Sequence, residues 1–439
     1  MQKNKVLWLY GELPGLVHAG VLTEADATRI RAHYGEAHRI PLSRIAMLFC
    51  GVLGAALTGG GVILLFAHNW EMLSRPARTV LSFMPLLCAQ ALAGWVIWRR
   101  GDSAPWREGS GVFLALCIGA CIALIGQTYH IPGNLASFLL TWCVLGLPIA
   151  YLLQSVAVMA LYLAGITGWA GAAQAQLSQA VLFWPLFAAA LPFAWRTWHR
   201  HRGQPRALLM AWALCLCLCI SLGIVMEKNL PGLWILAYAM MLWACYLIGM
   251  TFFEGVPGQP FTPAGVCGLM VLALLLSYSW PWEEIGFQYY RSGYEFHPVA
   301  SAQDYVIVFA WCAAALVLAV RRARARDWDF LIWAAVPALA APLYAAAGAG
   351  MPAQIAANCF SICLLIMGAV VMADGVRTGR LSVANGGLGM LCLLLVARFF
   401  DAELSFVARG VAFIIVGMAF LLVNLVLSRR VRAQEEGRS

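Results

Sequence analysis

Four short segments gather the side chains able to bind or transform a polar molecule. His68, Asn69, Trp70 and Glu71 follow one another, with Arg75 and Arg78 close behind. Gln127, Tyr129 and His130 lie in a second segment that closes with Pro132, Gly133 and Asn134. Trp280-Pro281-Trp282-Glu283-Glu284 is the third, and Arg398, Asp401, Glu403 and Arg409 form the fourth. An arginine fork matches phosphate or carboxylate geometry, carboxylates orient hydroxyl groups, and indole or phenol rings settle at a polar boundary. The set therefore fits an anionic or sugar-bearing headgroup. Gln127 and His130 share a helix face at three-residue spacing, and so do Arg398 and Asp401. The competing explanation is an interfacial belt of aromatic residues with capping ion pairs.

No catalytic signature accompanies these residues. The sequence has no Walker loop, no GxSxG elbow, no HExxH pair and no haem-attachment motif, so no catalytic residue, cofactor or metal is assigned. Its fourteen cysteines fall inside apolar runs. Cys117 and Cys121, Cys215 and Cys219, and Cys359 and Cys363 stand four residues apart but lack the partner histidines of a metal site. They read as small packing residues.

The elements that must position the polar segments follow from composition. Of 439 residues, 62% are hydrophobic and only 11% charged, against roughly 45–50% and 25% in soluble domains. A spanning helix needs about 20 apolar residues. The hydrophobic runs fall near 45–67, 77–98, 111–130, 135–152, 155–172, 179–195, 206–226, 231–251, 262–281, 303–320, 328–347, 353–372, 381–398 and 406–427. The expected fold is all-α: a polytopic transmembrane bundle of about 14 spans over residues 45–428. A cytoplasmic helical hairpin precedes it over 1–44, and a basic tail follows over 429–439.

The formal charge of +9 tests that threading, because Lys and Arg accumulate on the cytoplasmic side. With both termini inside, 23 of the basic residues fall in cytoplasmic segments and 6 on the opposite side. The bias puts the four polar segments on the exported face. It also accounts for the basic excess without nucleic acid as a partner. The acidic residues all fall in loops, tails or span edges, so no buried carboxylate marks an ion-coupled pump. Gln90, Gln154, Ser221 and Asn358 are the polar residues expected nearest the mid-membrane, as interhelical hydrogen-bonding groups.

In the N-terminal segment, Leu7, Leu9, Leu13, Leu16 and Val17 form an apolar stripe that Gly20 ends. Thr23 then begins a second helix, with Asp26 three residues on as a variant capping box. Gly20-Val21-Leu22-Thr23-Glu24-Ala25, Ala67-His68-Asn69-Trp70-Glu71, Gly126-Gln127-Thr128-Tyr129-His130 and Arg398-Phe399-Phe400-Asp401 together resemble one group of sequences. It is the bacterial family of membrane proteins catalogued as domain of unknown function 2157. The resemblance implies a bacterial inner-membrane location and brings no activity with it.

Three functions fit these readings. The first is a carrier, or flippase-like transporter, of an amphiphilic or lipid-linked envelope molecule, with membrane lipids as partners. The second is a non-transporting scaffold or sensor that docks a cytoplasmic or membrane protein through residues 1–44. The third is an intramembrane transferase working at the exported face through His130, Asp401 or Glu403.

Overall fold

A computed structural model describes residues 3–34, 73–177, 180–200, 203–226, 232–283 and 298–399, with Ile285 and a few isolated positions between Val407 and Met418. Among them every regular element is a helix, and ten helices are long and apolar enough to cross a membrane. Large apolar side chains such as Val306 (66% exposed) and Phe309 (75% exposed) point out of the bundle. An outward apolar surface on that scale belongs in lipid rather than water. The chain is a multi-pass membrane protein.

The N-terminal unit, residues 1–81, holds α1 (Lys3–His18) and α2 (Glu24–Tyr34). Gly20 ends the first segment at φ +68°, where Val21 N–H donates to the Leu16 carbonyl at 3.0 Å. The box at Thr23 forms as its spacing predicts. Asp26 N–H donates to Thr23 Oγ1 at 3.2 Å, and Asp26 Oδ2 accepts from Thr23 Oγ1 and from its backbone N–H. The expected first span at 45–67 lies outside the described residues.

α3 (Arg75–Arg99) leads into the second unit, Ser82–Ser439. There follow α4 (Ala104–Tyr129), α5 (Leu135–Leu153), α6 (Val156–Leu177), α7 (Phe183–Arg200), α8 (Pro205–Val225), α9 (Leu233–Phe252) and α10 (Phe261–Leu276). α11 (Trp280–Glu283), α12 (Pro298–Arg324), α13 (Leu331–Gly348), α14 (Ala353–Thr378) and α15 (Leu381–Phe399) complete the series. α9 is the central pillar, buried over most of its length against α10, α12 and α13. α6 plays the same part for the first half, packing on α4, α5, α7 and α8.

Two of the fourteen expected spans take a different form. α7 carries Arg196, His199 and Arg200 on its closing turns and falls below the ten spans in apolarity. The expected span 262–281 stops at Leu276, where the Ser277 N–H (3.2 Å) and hydroxyl (2.6 Å) both donate to the Leu274 carbonyl. α11 then resumes as a separate turn. The fourteenth span, 406–427, lies almost wholly outside the described residues.

Close backbone approach fixes two helix pairs. A Cβ added to Gly265 would meet the Tyr246 backbone nitrogen at 2.6 Å, and one on Gly387 would meet the Gly368 carbonyl oxygen at 2.7 Å. Small residues at such crossings let helices pack by shape where lipid supplies no hydrophobic drive. Ser221 adds the expected interhelical bond, donating to Thr167 Oγ1 at 3.2 Å and so joining α8 to α6. Gln154, by contrast, is not mid-membrane. It sits at φ 49° in the turn that closes α5.

Polar contacts join ends that alternating threading puts on one side. Arg322 of α12 reaches the Met250 carbonyl at 3.1 Å, Glu254 at 3.6 Å and Asp327. Asp304 lies near the opposite end of the same helix, a span edge as expected, yet it is fully buried.

Candidate functional site

The densest polar cluster among the described residues lies where α4, α5, α6, α7 and α8 meet. It begins with the amino end of α6, whose first amide groups have no intrahelical acceptor. Ser155 precedes the helix, and its Oγ accepts from Val158 N–H at 3.2 Å. Glu108, from the opening turns of α4, supplies the other acceptors. Its carboxylate takes Val156 N–H at 3.2 Å and Ala157 N–H at 3.0 Å, as well as the Ser155 hydroxyl. A carboxylate at a helix amino end also meets the positive end of the helix dipole.

Arg206, just after Pro205 at the start of α8, donates to the Glu108 carboxylate at 2.6 Å. Each side chain of this pair is 24% exposed. The contact is a charge-assisted bond in a partly desolvated place, stronger than an exposed ion pair. One carboxylate thus ties α4, the amino end of α6 and the amino end of α8 together.

Around this clasp opens a cavity of about 110 Å³, room for several waters and hence for one tetrahedral anion. Tyr151, Val156, Phe193 and Thr197 form its inner wall, and Arg107, Arg196, Arg200 and Arg206 carry its charge. Tyr151 is fixed by donating its hydroxyl to the Ala189 carbonyl at 2.6 Å and by edge-to-face packing on Phe193 at 5.5 Å. Arg196 and Arg200 stand four residues apart on one face of α7, and both are exposed. Arg107 Nη1 donates to Gln154 Oε1 at 3.4 Å, while its buried Nε has no hydrogen-bond partner among the described residues.

Four guanidinium groups line this cavity, and the Glu108 carboxylate beside it is committed to Arg206 and the α6 amides. The site therefore holds surplus positive charge together with an unfilled donor. Buried donors are normally satisfied, and arginine forks take phosphate or carboxylate oxygens in pairs. The arrangement is chemically suited to binding an anion.

The residues singled out from sequence fall elsewhere. His68, Asn69, Trp70, Glu71, Asp401, Glu403 and Arg409 lie outside the described residues. Gln127, Tyr129 and His130 come together at the far end of α4, all exposed, with His130 at φ 49° in the closing turn. Arg398 sits in a different helix group. Its Nη2 donates to the Ser277 carbonyl and, at 2.7 Å, to Ser361 Oγ, and its guanidinium lies 5.2 Å over the Tyr278 ring. Tyr278 in turn donates to the Ala397 carbonyl at 3.1 Å. Arg398 is a strut joining the α10–α11 turn to α14 and α15. Trp282 is structural as well: it is 2% exposed and donates to the Leu276 carbonyl at 2.8 Å.

Sequence reading assigned Arg107, Arg196, Arg200 and Arg206 to the cytoplasmic charge bias and missed the cavity they line. The available signals were the i, i+4 arginine pair on α7 and Glu108 directly following Arg107.

Residues 14–159 match the model of a family described as "Predicted membrane protein (DUF2157)". The matched stretch contains the Gly20–Ala25, Ala67–Glu71 and Gly126–His130 resemblances and also Arg107, Glu108 and Ser155. The Arg398–Asp401 run lies beyond it. No curated protein and no solved structure matches the chain.

Proposed function

We propose that this multi-pass membrane protein binds the anionic headgroup of an amphiphile at the Arg107–Arg196–Arg200–Arg206 cavity and carries it across the bacterial inner membrane. The observation that supports this most is the cavity's four guanidinium groups beside one committed carboxylate. The positive-inside bias supports a cytoplasmic position for that mouth and for both chain termini in this reading. An arginine cluster at the membrane surface suits a lipid phosphate or a lipid-linked phosphate.

α4 gives the carrier reading its second station. Its 26 residues span roughly 39 Å at about 1.5 Å per residue, with Arg107 and Glu108 at one end and Gln127, Tyr129 and His130 at the other. The exposed polar end is where the headgroup would be received on the exported side. The α1–α2 segment serves as a cytoplasmic appendage in this reading.

Proteoliposomes containing fluorescent phosphatidylglycerol test the carrier step through loss of fluorescence to an outside reductant. The protein should speed transbilayer movement of this lipid over phosphatidylcholine, and Arg196→Gln with Arg200→Gln should abolish the difference. Equal rates for the two lipids in the wild-type protein would overturn the proposal.

A further inference from the structure

A second cavity, of about 490 Å³, opens between α7 and α12. Its walls are apolar except for Trp184 and Gln303, joined by Val306, Ala310, Trp311 and Ala314 among others. Trp184 Nε1 and Gln303 Nε2 are both buried, and neither has a hydrogen-bond partner among the described residues. Two donors left open in an apolar groove call for an occupant that brings acceptor oxygens.

The rest of the wall restricts which oxygens. No charged residue lines the groove among the described residues. A phosphate would find no counter-charge there, whereas an uncharged carbonyl oxygen fits both donors. Depth points the same way. Trp184 and Gln303 stand at the opening of α7 and near the opening of α12, a level where headgroup gives way to hydrocarbon. From Gln303 to Ala314 the groove follows α12 for roughly 16 Å at about 1.5 Å per residue. That is close to the depth of one leaflet, about half of a 30 Å hydrocarbon core.

We infer that this groove holds one acyl chain of a membrane lipid, with the lipid's ester carbonyl accepting from Trp184 Nε1 and Gln303 Nε2. The site takes a neutral acyl ester, at the opposite end of α7 from Arg196 and Arg200. It depends on the protein lying in a membrane and is independent of the anion cavity.

The full-length protein in nanodiscs, given two phosphatidylcholine probes, tests the inference. Both carry a diazirine midway along one chain; one has ester links and the other ether links. Irradiation should place the ester probe on the 303–314 stretch about tenfold more than the ether probe, as expected for two neutral hydrogen bonds. Trp184→Phe and Gln303→Leu should each lower ester labelling several-fold, while Arg196→Gln with Arg200→Gln should leave it unchanged. Equal labelling by the two probes, or labelling that avoids 303–314 in the wild-type protein, would overturn the inference without the use of any variant. Labelling lost in the arginine variant would overturn the independence of the two sites.

Discussion

Replacing Glu108 with Gln removes one charge from the clasp at the amino end of α6 and changes little volume. The carboxylate accepts from Ser155, Val156, Ala157 and Arg206, and an amide retains one acceptor oxygen while turning a donor toward the others. Stranding one such donor costs about 1–3 kcal/mol. Losing a negative charge from a helix amino end costs roughly 0.3–1 kcal/mol more. The Arg206 contact contributes only about 1 kcal/mol further, because each partner keeps 24% exposure and solvent screens the pair. Glu108→Gln should therefore destabilise the protein by about 3 kcal/mol. Arg196→Gln and Arg200→Gln, on exposed side chains, should stay within about 0.5 kcal/mol. Denaturant unfolding in detergent, followed by tryptophan fluorescence, compares the three variants directly. A Glu108→Gln protein as stable as wild type, or an Arg200→Gln protein equally impaired, would refute the division between a structural carboxylate and ligand-directed arginines.

Arg398→Gln should cost about 2–4 kcal/mol in the same assay, since the Ser277 carbonyl and Ser361 lose a charged donor; His130→Ala and Gln127→Ala should be neutral to stability. Gly387→Leu should prevent α14 and α15 from closing and leave little monodisperse protein on size exclusion, whereas Gly146→Ala, with open space around it, should be tolerated. Deleting residues 1–40 should leave membrane insertion intact, as judged by carbonate extraction. Reporter fusions after Arg202 and Arg326 should read as cytoplasmic and one after Asn134 as exported; an exported signal at Arg202 would break the threading.

What was legible in sequence follows from how local each cause is. Thr23 and Asp26 form a box because both partners lie within one helical turn. The long spans are legible because twenty apolar residues have few other homes. α10 is shorter than its hydropathy run because the chain turns at Ser277 and resumes as α11, a break that an apolar tally does not register. The clasp was not legible, since Glu108, Ser155 and Arg206 are separated by about 50 residues at each step and meet only through helix packing. Arg398 misled for a related reason. At a span end it resembles an outward-facing cation, but the Ser277 turn and Ser361 turn it inward.

In the proposed function the cavity between α4 and α8 holds an anionic headgroup. Native mass spectrometry of the protein titrated with phosphatidylglycerol and with phosphatidylcholine measures this most directly. Wild type should retain phosphatidylglycerol preferentially, and Arg196→Gln with Arg200→Gln should lose that preference by tenfold or more while remaining folded, since each bond to a charged group contributes about 1.5–3 kcal/mol. Retention of both lipids to the same extent, or a preference unchanged in the double variant, would contradict it.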